Sequence, residues 1–98
     1  MNIQELTKQM NEFVIAQGWY DENSKRPQTL RNLAISLVLE ASEVLELFQW
    51  QDTINNNSVL EEELADVLLY LLQIAQIANI DLEQATLKKL KKNYHRTW

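Results

Sequence analysis

Leu39-Glu40-Ala41-Ser42-Glu43-Val44-Leu45-Glu46-Leu47-Phe48-Gln49-Trp50 is the stretch on which the reading of this chain turns. Its apolar residues fall at helical spacing and nearly surround the helix, yet Glu40 and Glu43, three apart and so on one face, are set among them. On a helical wheel Leu33, Val44 and Leu47 lie within about 40° of Glu40, so its carboxylate does not belong to a plainly solvated face. A second pair, Glu63 and Asp66, recurs on the next helical stretch. Crowding four carboxylates into a partly dry space is unfavourable unless something positive sits between them. One such pair is commonplace on a solvated helix; two on consecutive helices, each beside apolar neighbours, call for a cation.

Outward from that stretch, a chain of 98 residues with a single Gly and a single Pro has almost no punctuation, and Leu, Ile, Ala, Gln, Glu and Lys dominate. This composition predicts one all-α domain spanning residues 1–98. The absence of Cys removes disulfides and thiolate metal sites and fits a reducing cytoplasm. Met1-Asn2-Ile3-Gln4-Glu5 is neither basic nor continuously apolar, so no secretory signal is expected, and the apolar runs break before membrane-spanning length. A net charge of -5 argues against nucleic-acid binding. The positive residues nevertheless collect near the C-terminus as Lys88, Lys89, Lys91, Lys92 and Arg96, which suits either a helix C-terminus in water or a phosphate-facing strip.

The periodicity predicts a first helix over Ile3 to Gln17, opened by an Asn2/Glu5 capping box and stopped by Gly18, with Ile3, Leu6, Met10, Phe13 and Val14 as its apolar stripe. Trp19 follows, either closing the core or lining a pocket for a flat ligand. The second helix is expected from Thr29 to about Trp50, the third from a Ser58/Glu61 capping box to about Asn79, and a fourth from Asp81 with Gln84 into the tail. The second and third are apolar over most of their circumference, so subunit contacts are expected to bury the remainder in a dimer or a dimer of dimers.

Each acidic pair offers two oxygen ligands about one helical turn apart, and neighbouring helices can aim both pairs into one cavity. Carboxylate-only ligation selects Mg2+ first and Mn2+ second. Di-iron bundles use Glu-x-x-His, and the one histidine here, His95, is far from either pair in sequence and has no assigned role. Mg2+ held this way leaves positions for water and substrate phosphate, so the chemistry expected is metal-assisted phosphoryl or nucleotidyl hydrolysis.

These segments resemble the all-helical nucleoside triphosphate pyrophosphohydrolases of the MazG-like superfamily, in particular the small bacterial MazG-like and dCTP-pyrophosphatase-like branch. The carrying residues are Arg31-Asn32-Leu33, the stretch Leu39 to Trp50, Glu62-Glu63-Leu64-Ala65-Asp66-Val67-Leu68-Leu69-Tyr70-Leu71, and Lys89-Leu90-Lys91-Lys92-Asn93. The resemblance implies a four-to-five-helix bundle, assembled as a homodimer or homotetramer, that cleaves a nucleoside triphosphate between its α and β phosphates with Mg2+. It implies Glu40, Glu43, Glu63 and Asp66 as metal ligands, Tyr70, Lys89 and Asn93 as phosphate contacts, and Trp50 as part of the base pocket. Trp19 and Asn32 are further base-pocket candidates, and Glu46 a residue behind the ligands or beside the water. Two positions depart from the pattern: Leu39 stands where many members of the wider superfamily place another Glu. Gln28 and Leu30 stand where the dCTP-directed relatives have His and Pro, so base preference is not inherited.

The reading is thus a cytoplasmic, Mg2+-dependent hydrolase of surplus or noncanonical nucleotides, with no nucleic-acid or membrane partner. Two alternatives stand beside it: a noncatalytic helical oligomerisation or protein-binding module, and a pyrophosphohydrolase of another substrate such as phosphoribosyl-ATP.

Overall fold

Four side chains start the helices. Asn2 Oδ1 accepts the Glu5 N–H at 2.9 Å, Thr29 Oγ1 the Asn32 N–H at 3.1 Å, Asn56 Oδ1 the Ser58 N–H at 2.9 Å and Asp81 Oδ1 the Gln84 N–H at 3.0 Å. A computed structural model describes residues 1–98 as α1 (Ile3–Ala16), α2 (Leu30–Glu46), α3 (Asn57–Ile77) and α4 (Leu82–Tyr94), with no strand.

Two expected boundaries move. The cap of α3 is Asn56 rather than Ser58, because a short amide two residues upstream reaches the Ser58 N–H first and the helix starts at Asn57. α2 stops at Glu46 instead of Trp50: Phe48 and Gln49 donate to Leu45 and Glu46 carbonyls three residues back, at 3.0 and 3.3 Å, so the chain tightens into turns. At α1 the Asn2 half of the capping box forms, while the Glu5 carboxylate turns to the N-terminal amine at 3.6 Å.

α1 and α3 each end in a left-handed residue, Gly18 (φ 73°) and Asn79 (φ 56°). In both, the next N–H reaches back five residues, Trp19 to the Val14 carbonyl at 3.3 Å and Ile80 to the Ala75 carbonyl at 2.8 Å. The first of these turns swings Trp19 back over α1, and a side chain at Gly18 would also meet the Asp21 carboxylate, 3.0 Å from a Cβ.

α3 lies against both α2 and α1. Met10 and Val14 of α1 and Leu72 of α3 form the centre, with Leu6, Trp19 and Leu82 packed around them; Leu33 is the buried residue of α2. All four expected helices form; within the chain α1, α2 and α3 make the core, while α4 packs through Leu82, contributes no fully buried residue and leaves α3 at 103°. The chain's radius of gyration, 15.9 Å, exceeds the roughly 13 Å of a compact domain this size. Val38, Leu39 and Leu45 of α2, Leu64 of α3 and Leu87 and Leu90 of α4 stay more than half exposed. No single helix is long and apolar enough to cross a membrane.

Candidate metal centre

Glu40 and Glu43 lie one turn apart on α2, Glu63 and Asp66 one turn apart on α3, and the packing of α2 on α3 brings the pairs together. One carboxylate oxygen from each of the four lies within 4.8 Å of all the others. Glu40 and Glu63 are half-buried, Glu43 and Asp66 exposed. No Lys or Arg pairs with any of them; the chain's one ion pair is Met1 with Glu5.

The electrostatic consequence falls on the two half-buried acids. Glu63 is pushed up to about 7, first by a hydrogen bond shared with Glu43, then by desolvation and by the charges of Glu43, Asp66 and Glu40. Glu40 is raised by desolvation first, then by its hydrogen bond with Glu43 and the charges of Glu43 and Asp66. Glu43 is therefore the hub, within hydrogen-bonding reach of an acid on each helix. Glu40 Oε2 and Glu63 Oε2 are sealed from solvent without a hydrogen-bond partner. Buried carboxylate oxygens are ordinarily satisfied, so these two are placed to take a hydrogen-bond donor or to ligate a cation. An all-oxygen donor set fits a hard divalent ion and offers nothing to a thiophilic one.

Beside the acids is a cavity of about 450 Å3, walled by Leu6, Met10, Phe13, Trp19 and Leu69 and bordered by Glu40, Asp66, Tyr70 and Gln73. Carboxylates at one end and an apolar wall at the other suit a ligand that is both charged and flat. Trp19 is held edge-on to Phe13, ring centres 5.6 Å apart, with the Arg26 guanidinium 5.4 Å from its own ring. A second cavity of about 310 Å3 shares Trp19 and Tyr70 and adds Arg26, Gln28, Asn32 and Ser36. Asn32 Nδ2 donates to the Pro27 carbonyl at 2.9 Å, so its amide also pins the chain leading into α2.

Of the expected site residues, the chain gathers Glu40, Glu43, Glu63, Asp66, Tyr70 and Trp19, with Asn32 in the adjoining cavity. Trp50 stands apart, 89 % exposed in the turns after α2. Lys89 and Asn93 line a groove on α4 with Leu82, Thr86 and Leu90, apart from the cavity beside the acids and the one adjoining it. Glu46, the last residue of α2, is exposed and outside the cluster. Met10 and Phe13, read from the sequence as core stripe alone, also wall the cavity, and Gln73 was not singled out. A lone polar residue in Leu71-Leu72-Gln73-Ile74-Ala75 was the signal for it.

Residues 28–97 match the MazG nucleotide pyrophosphohydrolase domain. The dCTP pyrophosphatase 1 proteins of Mus musculus and Homo sapiens are each 36 % identical to this chain over 94 residues, 87 % of it and 52 % of them. The chain thus spans about half the length of the curated relatives it matches. A crystal structure of a pyrophosphatase from Archaeoglobus fulgidus superposes with a TM-score of 0.80 at 34 % identity, over 94 % of this chain and 88 % of that one.

Proposed function

The chain belongs to the MazG nucleotide pyrophosphohydrolase family, and from that premise we propose that it hydrolyses a nucleoside or deoxynucleoside triphosphate to the monophosphate and pyrophosphate with Mg2+. The observation that carries this reading is the meeting of four acids, two with sealed and unpartnered oxygens, beside a cavity that Glu40 and Asp66 border and that Phe13 and Trp19 help wall. The dCTP pyrophosphatase relatives support a nucleotide substrate, and the acids support a divalent ion of the Mg2+ or Mn2+ type.

Glu40, Glu43, Glu63 and Asp66 are the proposed ligands. What Mg2+ supplies when bound is neutralisation of the triphosphate and a lower pKa for the attacking water. The chain does the rest by position. Its carboxylates fix the polar end of the site, Tyr70 borders both cavities within reach of that end, and Trp19 gives the base an apolar face. No nucleophilic side chain is required.

The same reading makes the protein a homodimer or homotetramer. The arm α4 carries Lys89 and Asn93 away from the acids of its own chain, and the open apolar faces of α2, α3 and α4 favour association. In such an assembly Lys89 and Asn93 meet the phosphates at the site of a second copy, where Lys89 offsets charge on the departing pyrophosphate. Trp50 reaches a base pocket by the same route.

The test is incubation of the purified protein with a panel of nucleoside and deoxynucleoside triphosphates and Mg2+, reading pyrophosphate and monophosphate by ion-exchange chromatography. Formation of both, abolished by EDTA, is expected. A folded sample that releases pyrophosphate neither from any of them nor from phosphoribosyl-ATP overturns the enzyme reading in favour of a noncatalytic module.

A further inference from the structure

Gln73 is only 3 % exposed, and the metal site leaves it without a task. Its Nε2 donates to Gln28 Oε1 at 2.7 Å and to the Tyr20 hydroxyl at 3.3 Å. The two ends of a glutamine amide are nearly the same shape, so hydrogen-bond partners must decide which way it faces. Here they do. Gln28 Nε2 donates to the Arg26 backbone carbonyl at 2.6 Å, and that oxygen can only accept. Gln28 Oε1 is thereby turned to Gln73, the Gln73 NH2 is turned to Gln28, and the Gln73 carbonyl oxygen is turned the other way. Tyr20 runs in the same sense, accepting from Gln73 while donating its own proton to Asn11 Oδ1 at 3.0 Å.

Gln73 Oε1 accepts no hydrogen bond within the chain, and it is not sealed off as Glu40 Oε2 and Glu63 Oε2 are. Gln73 borders the cavity beside the acids, where Met10, Phe13, Val14 and Leu69 are apolar and the other uncharged polar groups are the Gln9 amide, the Tyr70 hydroxyl and the Trp19 indole N–H, so Gln73 and Gln9 carry its amide oxygens. A fixed acceptor in an apolar wall favours a ligand that brings an N–H to it and penalises one that brings a carbonyl oxygen.

We propose that Gln73 is a specificity-determining residue, its oxygen accepting from the exocyclic amino group of a nucleobase, with Gln28 as the positioning residue that orients it. The proposal rests on the reading that this cavity holds the substrate of a nucleotide pyrophosphohydrolase. It selects amino-bearing cytosine and adenine over keto-bearing uracil and hypoxanthine, pairs that differ in one hydrogen-bonding edge at almost constant shape.

The experiment compares kcat/KM for dCTP against dUTP, and for dATP against dITP, in the wild type, Gln73→Met and Gln28→Met. The wild type is expected to favour the amino member of at least one pair by more than about tenfold, and Gln73→Met to bring that ratio within about threefold of unity. Gln28→Met keeps the Gln73 acceptor but frees its orientation, and is expected to lower the ratio as well. A loss of stability alone would depress both members of a pair together and leave the ratio where it was. A wild type that cleaves no triphosphate overturns the hydrolase reading and this proposal with it. A wild type that cleaves them without an amino preference, or a ratio that Gln73→Met leaves unmoved, overturns this proposal alone. If Gln73→Met does not fold, the Gln28→Met ratio decides in the same way.

Discussion

Replacing Glu43 with glutamine keeps the side-chain shape while removing the carboxylate that lies within hydrogen-bonding reach of an acid on each helix. Glu63 is raised from 4.5 to about 7, with the hydrogen bond to Glu43 as its largest cause and the Glu43 charge as another. Desolvation and the charges of Asp66 and Glu40 persist in the variant, so part of the elevation remains. A glutamine N–H can also donate to the ionised Glu63, which favours the charged form. Together these lower the Glu63 midpoint by at least about one pH unit. Carboxyl carbon NMR of the metal-free protein, titrated between pH 4 and pH 9, reads the change directly. The same variant loses a proposed ligand, so kcat/KM with Mg2+ is expected to fall by at least about 100-fold. Its metal-free melting temperature at neutral pH rises or holds, since the crowding of negative charge is relieved. A Glu63 midpoint still near 7 would refute the electrostatic reasoning, and near-normal turnover would refute the ligand assignment.

Because the folded-state values of Glu63 and Glu40 lie above their unfolded value of 4.5, the metal-free fold binds protons more tightly than the unfolded chain. Their contribution to stability is full below pH 4.5 and is lost as pH rises, for Glu63 through about 7. Melting curves in EDTA are expected to decline more steeply across that window for wild type than for Glu63→Gln; equal slopes would contradict the shift. Mg2+ must displace the retained protons, so its apparent affinity in calorimetry is expected to climb with pH up to about 7, with proton release on binding. Lys89→Ala is expected to raise KM more than it lowers kcat, and unchanged KM would remove it from the phosphate site. Mixed with Glu43→Gln, it is expected to restore at low substrate roughly a quarter of wild-type activity if sites are shared between copies in a dimer, and no recovery would place Lys89 outside a shared site.

The helices and the acidic cluster were legible because both rest on short-range order. A spacing of three puts Glu40 with Glu43 and Glu63 with Asp66 on one face, whatever the tertiary structure. Asn2, Thr29 and Asp81 announce helix starts for the same local reason. The Asn55-Asn56-Asn57 run blurred the start of α3, where several side chains compete for one cap, and the bulky Phe48-Gln49-Trp50 sequence extended a helical pattern past its last α-helical bond. Gln73 is marked in the sequence by its lone polarity, but its partners are not, because they lie 45 and 53 residues away. The projection of α4 was equally hidden, since a polar helix with a Leu87/Leu90 stripe reads alike whether it packs on its own chain or on another.

Beyond Leu82, which packs on the core, and its Asp81 cap, α4 has little except its own backbone ladder to keep it wound, and thirteen residues are a marginal length for a helix with so little tertiary support. In dilute solution its amides are expected to exchange with deuterium long before those around Met10, Val14 and Leu72, and a protease is expected to trim it from an otherwise intact core. In the proposed assembly, raising the protein concentration is expected to slow both, tying the integrity of this arm to how many molecules are present.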